Sequence, residues 1–273
     1  MKRILHLALA LAVGAPPLAA TAAVTVKGSD TMVILAQRWA EEYMKKNPGK
    51  KVQVTGGGSG IGIAALINGT TDIANASRPM KKDEQAKVRD RYSVLPTETA
   101  VAKDGVAIYV HESNPVQQLT VEQLRSIYLG DVTNWKDIGG PDAKIVLYSR
   151  ENSSGTYVFF KDNVLQGDDF ASNAQTLPGT AAVVNAVAKE KNGIGYGGAA
   201  YAKGVREVKI VGNDGQGYLP SAENVASGKY ALSRPLFMYT RGKPSGEAAQ
   251  FLAYCLSPEG QAVVTKVGYF PVK

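Results

Sequence analysis

Three short stretches of glycine and hydroxyl residues constrain the fold of this chain more than any other feature. They are Gly28-Ser29-Asp30-Thr31, Gly56-Gly57-Gly58-Ser59-Gly60 and Arg150-Glu151-Asn152-Ser153-Ser154-Gly155-Thr156. Each follows a strand-like run and precedes residues with the apolar spacing of a helix, so each is expected to present backbone N–H groups at a helix N-terminus. Such places favour anions. Together with the guanidinium of Arg150, they predict a tetrahedral anion bound in a cleft.

The first 23 residues are predicted to be a cleavable secretory signal peptide. Lys2 and Arg3 form a basic start, residues 4–13 are apolar, and small residues place the cleavage site near Ala22 or Ala23. The apolar run of about ten residues is too short for a bilayer, which needs roughly twenty. We therefore expect the mature chain to be soluble and exported.

The remaining composition argues against several classes of protein. Without the signal peptide the formal net charge falls from +7 to +5, and the cations are scattered without interleaved aromatics, which disfavours nucleic acid as a partner. Cys255 is the only cysteine, expected to be buried and inert in the C-terminal helix. His111 is the only histidine after the signal peptide, so no His-Cys cluster with metal-ligand spacing exists, and it is the only imidazole that could act as the base for a serine nucleophile. No cofactor is expected. We expect a binding protein rather than an enzyme.

The order of the predicted elements indicates an α/β fold with two lobes. Helices are predicted near residues 31–46, 60–67, 83–92, 120–129, 155–165 and 180–191. The long β-like run of residues 99–111 and the later run of residues 235–239 mark the two places where one α/β unit gives way to the other. We expect residues 235–239 to pair near residues 106–110, in a largely parallel sheet.

Two crossings of this kind predict a discontinuous protein with a two-strand hinge and a ligand cleft between the lobes. Residues 24–108 and 235–273 are expected to form lobe 1, and residues 109–234 lobe 2. The glycine-rich stretch at residues 56–62 lacks the Gly-Lys-Ser/Thr ending of a P-loop, and its G-x-G-x-x-A match begins inside the expected helix. An anion turn or a flexible turn therefore fits it better than a nucleotide loop.

Two acids, Asp104 and Asp30, are candidates for a selective role. A carboxylate in an anion site is unfavourable unless the ligand carries a proton, as monohydrogen phosphate does and sulfate at neutral pH does not. Either acid would therefore select phosphate over sulfate, and a surface or capping role is the alternative for both. Ser77-Arg78, at another strand end, has the same chemistry as the turn at Arg150.

Taken in order, the motifs resemble those of the periplasmic phosphate-binding proteins of phosphate ABC transporters. The matching residues are Gly28-Ser29-Asp30-Thr31-Met32, Gly57-Gly58-Ser59-Gly60, Gly69-Thr70-Thr71-Asp72-Ile73, Ala76-Ser77-Arg78, Thr120-Val121-Glu122-Gln123-Leu124, Thr133-Asn134-Trp135, Arg150 with Ser154-Gly155-Thr156, Ile194-Gly195-Tyr196 and Pro235-Leu236. The resemblance covers nearly the whole mature chain. It implies a type II periplasmic-binding-protein fold, a periplasmic location, and a monomer that delivers phosphate to a membrane permease.

The resemblance and the three turns together give a set of candidate phosphate-binding residues. They are Ser29, Asp30, Thr31, Gly58, Ser59, Ser77, Arg78, Asp104, Arg150, Ser153, Ser154, Gly155 and Thr156. Longer family members have an aspartate after the serine of the third loop, where this chain has Arg78, so the proton acceptor is expected to be Asp104 or Asp30. They also have an acid two positions after the arginine, where this chain has Asn152, and Glu151 is the nearer candidate to hold Arg150.

Other ligands and roles stay open at this point. Sulfate, molybdate or another tetrahedral oxyanion would fit if neither acid reaches the cleft. A secreted phosphate-ester hydrolase and an extracellular adhesion or sensing role are further alternatives.

Overall fold

The computed structural model describes residues 23–272, so the predicted signal peptide and its cleavage site lie outside the described residues apart from Ala23. Strands β1 to β11 are Val24–Gly28, Val52–Thr55, Ile73–Ala76, Thr97–Val110, Gln118–Leu119, Val146–Arg150, Gln175–Leu177, Gly193–Gly198, Arg206–Val211, Gly217–Tyr218 and Ser233–Thr240. Helices α1 to α9 are Val33–Lys46, Ser59–Asn68, Lys82–Tyr92, Val121–Leu129, Gly155–Asn163, Gly179–Val187, Ala222–Ala226, Gly246–Leu256 and Pro258–Val267. Short 3₁₀ helices span Asp30–Met32, Trp135–Ile138 and Ala199–Tyr201. Between residues 23 and 272, no helix combines the length and apolarity needed to cross a bilayer.

The strands form a mixed sheet in the order β2-β1-β3-β11-β4-β8-β6-β7, with β9 attached to β4. At one end β1 runs parallel to β2 and β3, and at the other β6 runs parallel to β7 and β8. In the middle, β11 runs antiparallel to β3 and β4, and β4 runs antiparallel to β8. The expectation of a largely parallel sheet is therefore correct for the two ends and wrong for the middle, where the chain crosses in opposite directions.

Two sets of buried side chains divide the described chain into two lobes. The clusters of the first lobe draw their residues from 24–102 and 236–269. Those of the second lobe come from 106–232. Strands β4 and β11 pass between the lobes and we call them the crossing strands. The boundaries predicted after residues 108 and 234 fall inside these strands and stay a prediction.

The crossing strands pair with each other over residues 97–105 of β4, with Arg234 directly opposite Asp104. The predicted pairing with residues 106–110 was wrong. That part of β4 pairs with β8 and β9 instead, because it already belongs to the sheet of the second lobe.

Local sequence signals set several element boundaries. The Thr120 hydroxyl accepts a hydrogen bond from Gln123 N at 3.0 Å, and Thr120 N donates to Gln123 Oε1 at 2.9 Å, which confirms the predicted capping box of α4. Helices α2 and α5 begin at Ser59 and Gly155, within the second and third glycine and hydroxyl turns. Cys255 is fully buried in α8, as predicted, and burial raises the pKa of its thiol.

The contact between α2 and β1 leaves no room for a side chain at Gly62. A Cβ atom there would lie 2.3 Å from Lys27 O and 2.5 Å from Gly28 Cα, both backbone atoms.

Gly62→Ala is therefore expected to lower the free energy of unfolding by about 1–3 kcal/mol, although alanine is the better helix former. Denaturant unfolding measures this change. Ala64→Ser, at an exposed position of the same helix, is the control and should change it by less than about 0.5 kcal/mol. A more stable Gly62→Ala protein would contradict the prediction.

Candidate anion-binding site

The three glycine and hydroxyl turns lie together where the two lobes face each other. Gly60 N, from the first lobe, donates to Ser153 O of the second lobe at 2.9 Å. The Oγ1 atoms of Thr31 and Thr156 are 2.9 Å apart and form a second contact between the lobes. All three turns thus contribute to one interface between the lobes.

The first turn is fixed in position by its backbone. Gly28 has a φ of +142°, and a Cβ atom there would lie 2.2 Å from Asn75 O, so only glycine fits between β1 and β3. Two tyrosines, one buried and one half-buried, hold the backbone that follows. The Tyr201 hydroxyl donates to Asp30 O at 2.7 Å, and the Tyr269 hydroxyl donates to Thr31 O.

Two serines of the first lobe face the start of α5. Ser77 N donates to Ser59 Oγ at 3.0 Å, and both serine side chains are fully buried. A Cβ atom on Gly155 would lie 2.4 Å from Ser59 Oγ and 2.6 Å from Ser77 Oγ. The absence of a side chain at Gly155 therefore lets the positive end of the α5 dipole approach the two hydroxyls.

The α5 N-terminus is capped from within its own turn. Ser154 Oγ accepts hydrogen bonds from Thr156 N at 3.2 Å and from Tyr157 N at 3.3 Å. This is the ordinary N-cap geometry of serine, and it fixes the direction in which the first turn of the helix points.

A salt bridge between Arg150 and Asp30 joins the lobes. Arg150 Nη2 donates to Asp30 Oδ2 at 2.8 Å and Nη1 donates to Thr180 Oγ1 at 2.9 Å. The arginine side chain is only 1% exposed, and burial lowers its pKa while Asp30 opposes that shift. Asp30 Oδ1 in turn accepts from Gly57 N at 2.7 Å, so the acid also ties the first turn to the second.

A second buried pair lies on the crossing strands. Arg234 donates to Asp104 Oδ2 through Nε at 3.1 Å and through Nη2 at 2.8 Å. Arg234 Nη2 also reaches Thr156 Oγ1 at 3.0 Å and Thr31 Oγ1 at 3.4 Å. Burial raises the pKa of the Asp104 carboxyl, and Arg234 offsets that shift in part.

Three buried donors around these pairs have no hydrogen-bond partner within the described chain. They are Ser29 Oγ, Arg150 Nε and Arg234 Nη1. A buried donor without an acceptor is unfavourable, so such groups mark a place where a ligand with several acceptor atoms would be stabilised. The arrangement of hydroxyls, amides and two guanidinium groups is suited to an oxyanion. Residues 23–272 contain no group of His, Cys, Asp or Glu side chains placed to hold a metal ion.

Comparisons with known proteins agree with this geometry. The family model of the PBP superfamily domain matches residues 15–259. A phosphate-binding protein PstS from Pseudomonas aeruginosa is 38% identical over 263 residues, covering 90% of this chain and 81% of the relative. The PstS protein of Staphylococcus epidermidis is 36% identical, covering 86% of this chain and 75% of the relative.

This chain belongs to the PstS family of phosphate-binding proteins.

Solved structures of PstS-like proteins have the same fold. One is a Clostridium perfringens protein assigned as the substrate-binding protein of a phosphate ABC transporter, solved with bound phosphate. It aligns with this chain at a TM-score of 0.84 and 32% sequence identity, and the alignment covers 92% of this chain and all of that chain. An ABC-type phosphate transport receptor from Vibrio cholerae has a TM-score of 0.72 and 30% identity, covering 90% of this chain and 99% of that chain. The chain thus has the type II periplasmic-binding-protein fold that the motifs implied.

Not every candidate residue lies among the contacts of this PstS-family site. The Arg78 guanidinium forms two hydrogen bonds with Glu84, at 2.7 and 2.8 Å, and a third with Pro79 O, so it is held beside α3. Ser153 meets the other lobe through its carbonyl oxygen. His111 bonds to Ser113 at 2.8 Å, and no serine of the site is its partner.

The partner of Arg150 differs from the expectation. Glu151 was the nearer candidate to hold the guanidinium, but it is exposed, and Asp30 of the opposite lobe takes that position. Residues next to each other on an extended chain point to opposite sides, which turns Glu151 away from a buried Arg150.

Sequence reasoning missed Arg234 and Thr180. Arg234 directly precedes the run predicted as the second crossing strand, and the correct register would have placed it opposite Asp104. Thr180 lies at the start of α6, where a hydroxyl residue has many ordinary roles, so no local signal distinguishes it.

Gly155→Ala is expected to keep the fold but prevent the lobes from meeting, because its methyl carbon would overlap the Ser59 and Ser77 hydroxyls. Small-angle X-ray scattering should then give a larger radius of gyration than that of the wild-type protein. Asp162→Ala, at an exposed position on the same helix, is the control and should leave the radius unchanged. An equal radius for Gly155→Ala would show that the hydroxyls can move aside.

Proposed function

We propose that this chain binds inorganic phosphate between its lobes and delivers it to the membrane permease of an ABC transporter. The observation that carries the proposal is the convergence of hydroxyls and an arginine from both lobes on one buried interface. The names of the similar proteins support phosphate as the anion and ABC transport as the process.

The proposed ligand shell replaces water around phosphate with fixed donors. Its members are Ser29, Thr31, Ser59, Ser77, Arg150, Ser154, Gly155 and Thr156. Each anion oxygen would accept from hydroxyls, amides or the guanidinium, which are already oriented by the folded chain. Because the donors come from both lobes, the closed arrangement binds the anion more tightly than an open one, and phosphate would shift the population toward closure. The hinge would lie in the crossing strands, with lobes divided as predicted.

Asp30 is the proposed acceptor of the phosphate proton. Its Oδ1 accepts one hydrogen bond from Gly57 N and its Oδ2 one from Arg150, which leaves a lone pair on each oxygen. The Asp104 side chain is only 1% exposed and its Oδ2 already accepts two bonds from Arg234. By these bonds each acid keeps two lone pairs, so the choice of Asp30 rests on its lower burial, with 18% of its side chain exposed, and on its contact with Arg150, the arginine proposed to bind the anion.

The protein would act outside the cytoplasm, after removal of residues 1–23 near Ala22 or Ala23. It would work as a monomer and break no bond of its ligand. The family is one of substrate-binding proteins, which supports this reading.

Arg150→Ala is expected to weaken phosphate binding by more than roughly 2 kcal/mol, or about thirtyfold, because a buried charge-assisted contact is lost and Asp30 is left unpaired. Calorimetric titration of protein freed of bound ligand measures the affinity. The control is Arg38→Ala, an arginine on the exposed surface of α1, which should bind as the wild type does. An unchanged affinity in Arg150→Ala would remove this arginine from the site.

Asp30→Asn is expected to reduce the preference for phosphate over sulfate by about tenfold or more, since the amide of asparagine cannot serve as a charged acceptor for the ligand proton. Titrations with both anions at neutral pH give the ratio of affinities. The same pair of titrations on Asp104→Asn tests the other acid. A loss of selectivity in Asp104→Asn alone would transfer the acceptor role to Asp104.

A further inference from the structure

We propose that Arg234 is a positioning residue of the anion site, which holds the paired hydroxyls of Thr31 and Thr156 so that their one free proton is directed at the ligand. The inference rests on the proposed function, because the ligand is taken to be phosphate. It concerns a residue outside the three turns that sequence reasoning identified.

Arg234 is held at the hinge by its strand pairing. It lies directly opposite Asp104 where the crossing strands pair, and both side chains are almost fully buried, at 3% and 1% exposure. Two hydrogen bonds to the same carboxylate oxygen fix the plane of the guanidinium. Nη2 is thereby directed at the pair of threonines between the lobes.

The hydrogen-bond chemistry of this group of atoms allows few arrangements. A guanidinium only donates, so Thr31 Oγ1 and Thr156 Oγ1 both act as acceptors toward Arg234. The two hydroxyls are also bonded to each other at 2.9 Å, which uses one of their two protons. The remaining proton cannot point at Arg234 and must point away from it. The hydroxyl that carries this proton can donate to an anion. Its lone pairs already accept from Arg234 and from the other threonine, so they cannot face the anion.

The arrangement also depends on closure. Thr31 belongs to the first lobe, Thr156 to the second, and Arg234 to a crossing strand, so the three groups meet only when the lobes are together. The Phe159 ring of α5 lies 5.1 Å from Arg234 Cζ, which adds a cation–π contact from the second lobe. Asp104 balances the charge of Arg234, so the pair orders the two threonine hydroxyls without adding net charge to the site.

Arg234→Met keeps much of the length of the side chain but removes every donor. Titration with inorganic phosphate is expected to show at least tenfold weaker binding, and scattering is expected to show less compaction on phosphate addition than in the wild type. Arg234→Lys retains the charge and one donor group, so its phosphate affinity should lie between those of the wild type and Arg234→Met. Arg241→Met is the matched control, because Arg241 follows the same strand but contacts Thr71 and Tyr92 outside the cleft.

A purely structural role predicts a different result. Arg234→Met would then unfold at a lower temperature, while its folded fraction would keep wild-type affinity, and that outcome would overturn the inference. If the single variant does not fold, Arg234→Met combined with Asp104→Asn removes both charges of the buried pair. The double variant should fold and still bind phosphate weakly, and wild-type affinity in it would also overturn the inference.

The two proposals fail in different ways. Wild-type protein that binds no phosphate would overturn the proposed function and this inference with it. Wild-type binding together with an unaffected Arg234→Met would overturn this inference alone.

Discussion

Two arginine–aspartate pairs, Arg234 with Asp104 fully buried and Arg150 with Asp30 partly buried, set the conditions for the rest of this structure. Charges removed from water are costly unless they are paired with good geometry and their other groups are hydrogen-bonded. Arg150 meets this condition in part, through Asp30 and Thr180, and Arg234 in part, through Asp104 and two threonines, while Arg150 Nε and Arg234 Nη1 have no partner in the described chain. The first pair requires that the lobes be together, and the second requires the observed register of the crossing strands. Closure and strand register are therefore linked to the same four charges.

The lobes can approach this closely because the interface between them is built from small residues. A Cβ atom on Gly58 would lie 2.6 Å from Ser153 O, and one on Gly155 would overlap two serine hydroxyls. Larger side chains at these places would hold the lobes apart and leave Arg150 in contact with water instead of Asp30. Glycine and serine therefore serve close packing between the lobes at these places, whatever they contribute to the proposed binding of an anion.

The local parts of this site could be predicted from sequence and the long-range parts could not. The three turns were found because strand, small residues and helix follow one another within a few positions. Asp30 and Arg150 are 120 residues apart, and no local pattern connects them. The register of the crossing strands was misplaced by several residues, which concealed Arg234. Arg78 was taken as a site residue because it follows Ser77. Its guanidinium instead pairs with Glu84, six positions later in the chain.

The charge balance of the site bears on how it could be selective. Arg150, Asp30, Arg234 and Asp104 sum to zero, so net charge alone attracts no anion into the closed cleft. In the proposed site, binding would then come from oriented dipoles and from the unpaired donor of the arginine proposed to bind the anion, Arg150 Nε. In such a site a carboxylate oxygen close to the ligand repels a fully ionised anion and accepts a proton from a partly protonated one. In the proposed site, neutral pairing would let a single acid decide between oxyanions of the same shape, because no excess positive charge would be present to outweigh it.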